Sequence, residues 1–162
     1  MGPLGHTVVS LGIGAGVWGA TGSALAVPAS MATGVLIDAD HVLDSYITYV
    51  KKDRRRVFVL FHAWEYAILG LAMVIGVWQH SVLLAGVLGY LGHLVGDQIA
   101  NRPTHPLAYS IIYRMRSGFE RSRLFQEAPD TLSQLLHGTI PLWRVIEPRL
   151  LDLASRFRSS GA

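Results

Sequence analysis

The chain has no cysteine, and only 15% of its 162 residues are charged. Without thiols there is no disulfide scaffold, no cysteine nucleophile and no zinc ribbon. Charged residues average about 25% in soluble domains, so the deficit also excludes a disordered chain and a solvated nucleic-acid-binding tail. Apolar residues take their place. They make up 51% of the chain, and the mean hydropathy is +0.36.

The few charges are unevenly placed. Residues 1–37 carry none, and residues 38–50 carry only Asp38, Asp40 and Asp44. The run Lys51-Lys52-Asp53-Arg54-Arg55-Arg56 follows, and then residues 57–101 hold just Glu65 and Asp97. Residues 102–162 contain nine arginines interleaved with five acids, without a recognisable nucleic-acid module. No nucleic-acid partner is expected. An ordinary soluble helix keeps a charged face toward water. The apolar blocks lack that face and therefore read as membrane-embedded, with the lipid bilayer as their partner.

The expected architecture is an all-α integral membrane bundle of four apolar helices in two hairpins, followed by amphipathic C-terminal helices. The first block, residues 7–37, breaks at the Gly-rich stretch 19–23. The second divides at 78–81 into 57–77 and 82–100, each near the ~20 residues that cross a bilayer. Gly12, Gly14, Gly16 and Ala20 permit close helix approach. A secretory signal peptide is disfavoured because residues 1–6 contain no basic group. By the positive-inside rule, 51–56 and the Arg-rich tail belong on the cytoplasmic side, with the hairpin tips opposite. Residues 1–115 form the expected membrane-embedded domain. Residues 116–162 form the expected amphipathic tail, with helical segments at 131–136 and 143–157 and frayed final residues; a further helix is expected at 107–119, across the boundary.

This topology places polar residues at one depth. His6 and Asp38 lie ~15 and ~16 residues from the first tip, while His62, His93 and Asp97 lie ~17, ~13 and ~17 from the second. At 1.5 Å per residue that is a layer ~20–25 Å from the tips. His93 and Asp97 are four apart and share a helical face; His62 and Glu65, three apart, do likewise. Asp38, Asp40 and His41 supply three candidate ligands within four residues. Imidazoles with carboxylates and no thiolates suit zinc, manganese or iron. A metal also explains how such groups survive near hydrocarbon. Each element has a plainer explanation: a hydrogen-bonded core histidine, a His–carboxylate brace, a capping aspartate or a topology-setting arginine run. His80 and His137 lack partners at helical spacing and read as structural. The common depth is what favours a metal site.

At D-A-D-H (38–41), F-H-A-W-E (61–65) and G-H-L-V-G-D (92–97), residues 3–115 resemble the bacterial membrane-bound metal-dependent hydrolases of the LexA-binding inner-membrane type. That family's early His, P-D-x-D-H, mid-chain His after an Arg and later H-x-x-x-D correspond to His6, to Asp38, Asp40 and His41, to His62 and to His93 with Asp97. Ile37 stands where the family has proline, and R-V-F-V-L-F-H-A-W-E replaces its R-G-x-T-H-S. The order of ligands is also similar to that of zinc-dependent phospholipases C, an analogy in which Asp97 bridges ions and His105 joins from a loop.

The resemblance implies a membrane hydrolase of the bacterial inner membrane with its site facing the cytoplasm, acting on a phosphoester in a lipid or amphiphile. It would use one to three divalent ions, zinc foremost. Asp40 and Glu65 are the expected catalytic carboxylates, with Glu65 placed to orient water or take its proton. Arg54, Arg55, Arg56 and Arg102 are the expected contacts to an anionic head group. The rival expectation is a non-catalytic membrane protein whose helices are stapled by a structural metal or ion-pair cluster. An ion or proton carrier is a third class, but it would need polar groups spread across the bilayer.

Overall fold

The structure is a computed structural model that describes residues 1–76 and 80–125. Among these residues it is helical, without strands. Helix α1 (Pro3–Thr21) opens on a proline in its first turn and stops at Gly22. Gly22 takes the left-handed φ of 74° and returns its N–H to the Trp18 carbonyl. Helix α2 (Ala26–Val35) runs on through a 3-10 turn, Leu36–Ala39, into α3 (Asp40–Ser45) and a π turn, Tyr46–Val50. Helix α4 (Trp64–Gly76) and α5 (Ser81–Ala100) form the second hairpin, and His80 caps α5 by accepting from the Val82 N–H at 3.2 Å. Short helices α6 (Ile111–Arg116) and α7 (Arg121–Leu124) close the described part.

Helices α1, α2 and α5 pack mutually, and α4 lies against α5. Small residues draw the first three together. A Cβ on Gly89 would collide with the Ser30 backbone, so glycine is what lets α5 touch α2. Polar side chains bridge the same seam: Ser30 Oγ donates to Ser10 O at 2.8 Å, and Thr33 Oγ1 to Gly86 O at 2.6 Å.

Both hairpins are present, yet four helices of near-spanning length are not. Among the described residues α5, with 20, is the one helix long and apolar enough to cross a membrane. Helix α1 has 19 residues, but His6, Ser10 and its glycines dilute its hydropathy. Helix α2 has 10 residues and α4 has 13. The shortfall in α4 arises because residues 57–63, expected to be its first turns, are not helical. The N–H groups of Phe58, Val59 and Phe61 bond to carboxylates of α3 in place of helical carbonyls.

Residues 117–125 fold back onto this segment. Val57 N–H donates to Phe119 O at 3.0 Å, and Arg121 N–H to Arg55 O at 2.7 Å. Val57, Val59, Ala108, Tyr109, Leu124 and Phe125 form one apolar cluster, so the expected boundary at 115/116 falls inside a continuous packing unit. Of the expected helix 107–119, only Ile111–Arg116 is helical. Trp78 and the expected helices 131–136 and 143–157 lie outside the described residues, as does His137.

Candidate metal centre

Helix periodicity brings the α5 pair together. His93 and Asp97 are one turn apart on the buried face of α5. His6, on the buried face of α1, stacks on His93 with ring centroids 3.7 Å apart and planes 18° from parallel. The 3-10 turn after α2 carries Asp38, and α3 begins with Asp40 and His41. His62 comes from the non-helical segment, much of whose backbone is held by side chains. Asp44 accepts from the N–H of Phe58 (2.7 Å) and Val59 (2.9 Å), and Asp40 from that of Phe61 (2.8 Å). The Tyr90 hydroxyl donates to Phe61 O and accepts from the Ala63 N–H. Arg114 donates to the carbonyls of Phe58, Val59 and His62.

Hydrogen bonds set the tautomers. A carbonyl can only accept, so His93 Nδ1 donates to Gly34 O at 2.8 Å. His62 Nδ1 likewise donates to Asp40 Oδ2 at 3.0 Å. In the neutral rings, both Nε2 atoms then carry lone pairs, and they lie 2.9 Å apart. Two acceptors at that distance need a cation or a proton between them. Asp38 Oδ1 lies 3.5 Å from each Nε2, while Asp97 Oδ2 lies 3.4 Å from His62 Nε2 and 3.7 Å from His93 Nε2. Zinc bonds of ~2.0–2.1 Å arranged tetrahedrally give ligand–ligand edges of ~3.3–3.4 Å. The observed edges bracket that value.

The atoms left over fit the same chemistry. His6 Nε2 is 3.0 Å from both Asp97 Oδ1 and the Met1 carbonyl, which makes it a donor. His6 Nδ1 is then a buried acceptor without a hydrogen-bond partner; Asp40 Oδ1 and His41 Nδ1 are also buried without one. Unsatisfied buried polar atoms cost about 1–3 kcal/mol each, so three in one cluster point to an absent partner. One candidate ligand atom from each of His6, Asp38, His93 and Asp97 lies within 4.8 Å of the others; Asp38, His41 and His62 form a second such group. The cluster could hold a metal ion. Burial opposes ionisation of Asp38, but the neighbouring His41, His62 and His93 imidazoles outweigh it and hold its carboxyl below the usual range.

The other sequence candidates fall elsewhere. Glu65 does not face the cluster as a base; its carboxylate accepts from Ser110 Oγ and from the N–H groups of Ile111 (3.0 Å) and Ile112 (3.2 Å), capping α6. Its one-turn spacing from His62 presumed a helix that begins only at Trp64. His105 stacks on Tyr113 at 4.3 Å, and its Nδ1 accepts from the Leu107 N–H, so it is not brought to the cluster. Arg54, Arg55, Arg56 and Arg102 are exposed and form no ion pair with the cluster's carboxylates. His41 is the ligand candidate most open to solvent, its side chain 23% exposed.

Sequence reasoning missed Asp44, Arg114, Tyr90 and the Gly34 carbonyl. Asp44 follows Asp40 by four residues, which would have placed both on one face of α3. Arg114 stands among Tyr109, Ile112, Tyr113 and Met115, a cation in an otherwise apolar stretch that ends at Arg116. Burial lowers its pKa, opposed by the charges of Asp40 and Glu65.

Comparisons with known proteins add no identity: no family model, curated protein or solved structure matches this chain.

Proposed function

We propose that the chain is a membrane-bound metal-dependent hydrolase that cleaves a phosphoester in a lipid or other amphiphile, akin to the inner-membrane hydrolases its motifs resemble. The observation that carries this reading is the convergence of His62 Nε2, His93 Nε2, Asp38 Oδ1 and Asp97 Oδ2, with five of their six separations between 2.9 and 3.7 Å. Zinc suits this donor set best. With four protein ligands, water would enter only if the coordination expanded to five; a divalent ion bound there would then lower that water's pKa toward ~7 and polarise a phosphoryl oxygen.

The chain's own residues prepare that chemistry. Asp40 and the Gly34 carbonyl fix the tautomers of His62 and His93, and His6 orients Asp97. His41, beside Asp38 at 3.4 Å, stands on the solvent-accessible side, where a substrate would approach. Arg54, Arg55, Arg56 and Arg102 offer exposed cations for an anionic head group. The membrane part of the reading rests on exposed apolar side chains along α1 (Leu4, Val8, Leu11, Trp18), α4 (Ile68, Leu69, Ile75) and α5 (Val95, Ile99).

The full burial of His62 and His93 favours a second reading, a closed structural ion site without turnover. Metal analysis of purified protein with His93→Ala and Asp97→Ala controls tests the centre. Wild type should carry divalent metal and both variants should lose most of it; unchanged content in both variants would sink the site. Release of a phosphorylated head group from vesicles by metal-loaded wild type then separates the two readings, since a structural ion gives none.

A further inference from the structure

We propose that Arg114 is a positioning residue for the metal centre: by holding the carbonyls of Phe58, Val59 and His62 it fixes the His62 imidazole among Asp38, His93 and Asp97. This rests on the metal-centre reading above and says what keeps that centre in register.

His62 depends on irregular backbone in a way His6 and His93 do not. Those two are set by helix geometry, whereas residues 57–63 follow no repeating hydrogen-bond pattern that would hold a ring in place. Val59, a β-branched residue, is also held at φ 37°, a conformation L side chains rarely adopt. A strained segment relaxes unless its polar groups are tied down. The N–H groups of Phe58, Val59 and Phe61 are tied by Asp44 and Asp40, and the carbonyls of Phe58, Val59 and His62 by Arg114, with Val59 O also accepting from the His62 N–H at 3.0 Å.

The residue type fits this task. Arg114 is fully buried, yet no ion pair among the described residues includes it. A buried cation spent on neutral carbonyls is costly as a mere stability device. A guanidinium fork can reach several carbonyls in fixed directions, which an ammonium cannot do as rigidly.

The circuit closes through Glu65, the residue whose spacing suggested a base. Trp64 N–H donates to Tyr109 O at 2.9 Å, and Glu65 grips the first residues of α6. Helix α6 then carries Arg114 back to residues 58–62. Segment, α4 start and α6 thus form a closed loop with His62 inside it.

The test is a double-mutant cycle read as Zn²⁺ affinity, by competition with a chromophoric chelator, in the full chain purified in detergent. Arg114→Met should weaken Zn²⁺ binding by about 10- to 100-fold, the usual effect of removing a group that orients a ligand. Arg114→Lys should recover part of that loss, and Arg116→Met, on the exposed side of α6, should bind as wild type. In a His62→Ala background Arg114→Met should cause no further loss, because its effect passes through His62. Circular dichroism checks the fold of each variant. If Arg114→Met does not fold, Arg114→Lys supplies the same cycle. Additive losses, or wild-type affinity in the folded Arg114 variant, would overturn the proposal while leaving the centre standing. A wild-type chain that binds no Zn²⁺ removes the centre and this proposal together.

Discussion

Asp44 is the residue whose loss should cost the fold most for the fewest atoms. It is buried, and burial raises its carboxyl pKa against the pull of two backbone donors, Phe58 and Val59. Truncation to alanine strands both N–H groups in a segment that has no ladder to receive them. At about 1–3 kcal/mol for each unsatisfied donor, Asp44→Ala should destabilise the protein by roughly 2–6 kcal/mol, measured by thermal or denaturant unfolding in detergent. A loss under ~0.5 kcal/mol would mean that the segment rearranges freely. The same residue marks where sequence reading stopped. His93 and Asp97 were legible because one helix sets their spacing. Asp44, Arg114 and Tyr90 act on backbone groups of a distant segment, and backbone partners leave no trace in residue type. Glu65 misled for a related reason: its spacing from His62 has meaning only on a helix, and carboxylates from α3 had already claimed the N–H groups that such a helix would use.

Helix–helix contact is set by glycines that differ sharply in surroundings. A Cβ on Gly89 would strike the Ser30 backbone of α2, while one on Gly16 would meet nothing within 4 Å. Gly89→Ala should therefore push α5 from α2 and cost about 1–3 kcal/mol as an overpacked contact. It should also weaken metal binding, since His93 lies one turn further along α5 and takes its orientation from Gly34 of α2. Gly16→Ala should stabilise by up to ~1 kcal/mol through helix propensity alone. Melting temperature and bound metal, measured together on the two variants, check this; equal effects would contradict the packing. At this scale the sequence revealed part: the two hairpins were readable from the breaks at 19–23 and 78–81. Of Gly12, Gly14, Gly16 and Ala20, however, only Gly14 is buried, against α2, and the closest backbone contact, at Gly89, was not foreseen. Helix lengths were not readable, because hydropathy runs on across residues 57–63 while their hydrogen bonds turn elsewhere.

Across the whole molecule, scarcity of charge and the ligand cluster have to be explained together. A water-soluble bundle of this size would cover its outer faces with charge, yet the outward positions of α1 are Leu4, Val8, Leu11 and Trp18. The cluster lies at one end of α1, near His6, and the Gly22 turn at the other; Leu11 falls between them on the exposed face. If that face meets hydrocarbon, Leu11→Lys places a charge where insertion costs about 2.5–3.5 kcal/mol. If it meets water, the same change falls within about 0.5 kcal/mol of neutral. Ile68→Lys on α4 repeats the test on a second face, and Arg116→Lys, which retains a charge on an exposed side chain of α6, serves as control. The measurement is the fraction of each protein that stays in alkali-washed membranes. Both lysine variants should shift markedly out of that fraction while the control does not. Retention of all three at wild-type levels would remove the bilayer from the proposed function, and with it the lipid substrate, while leaving the His–Asp centre to be judged by its metal alone.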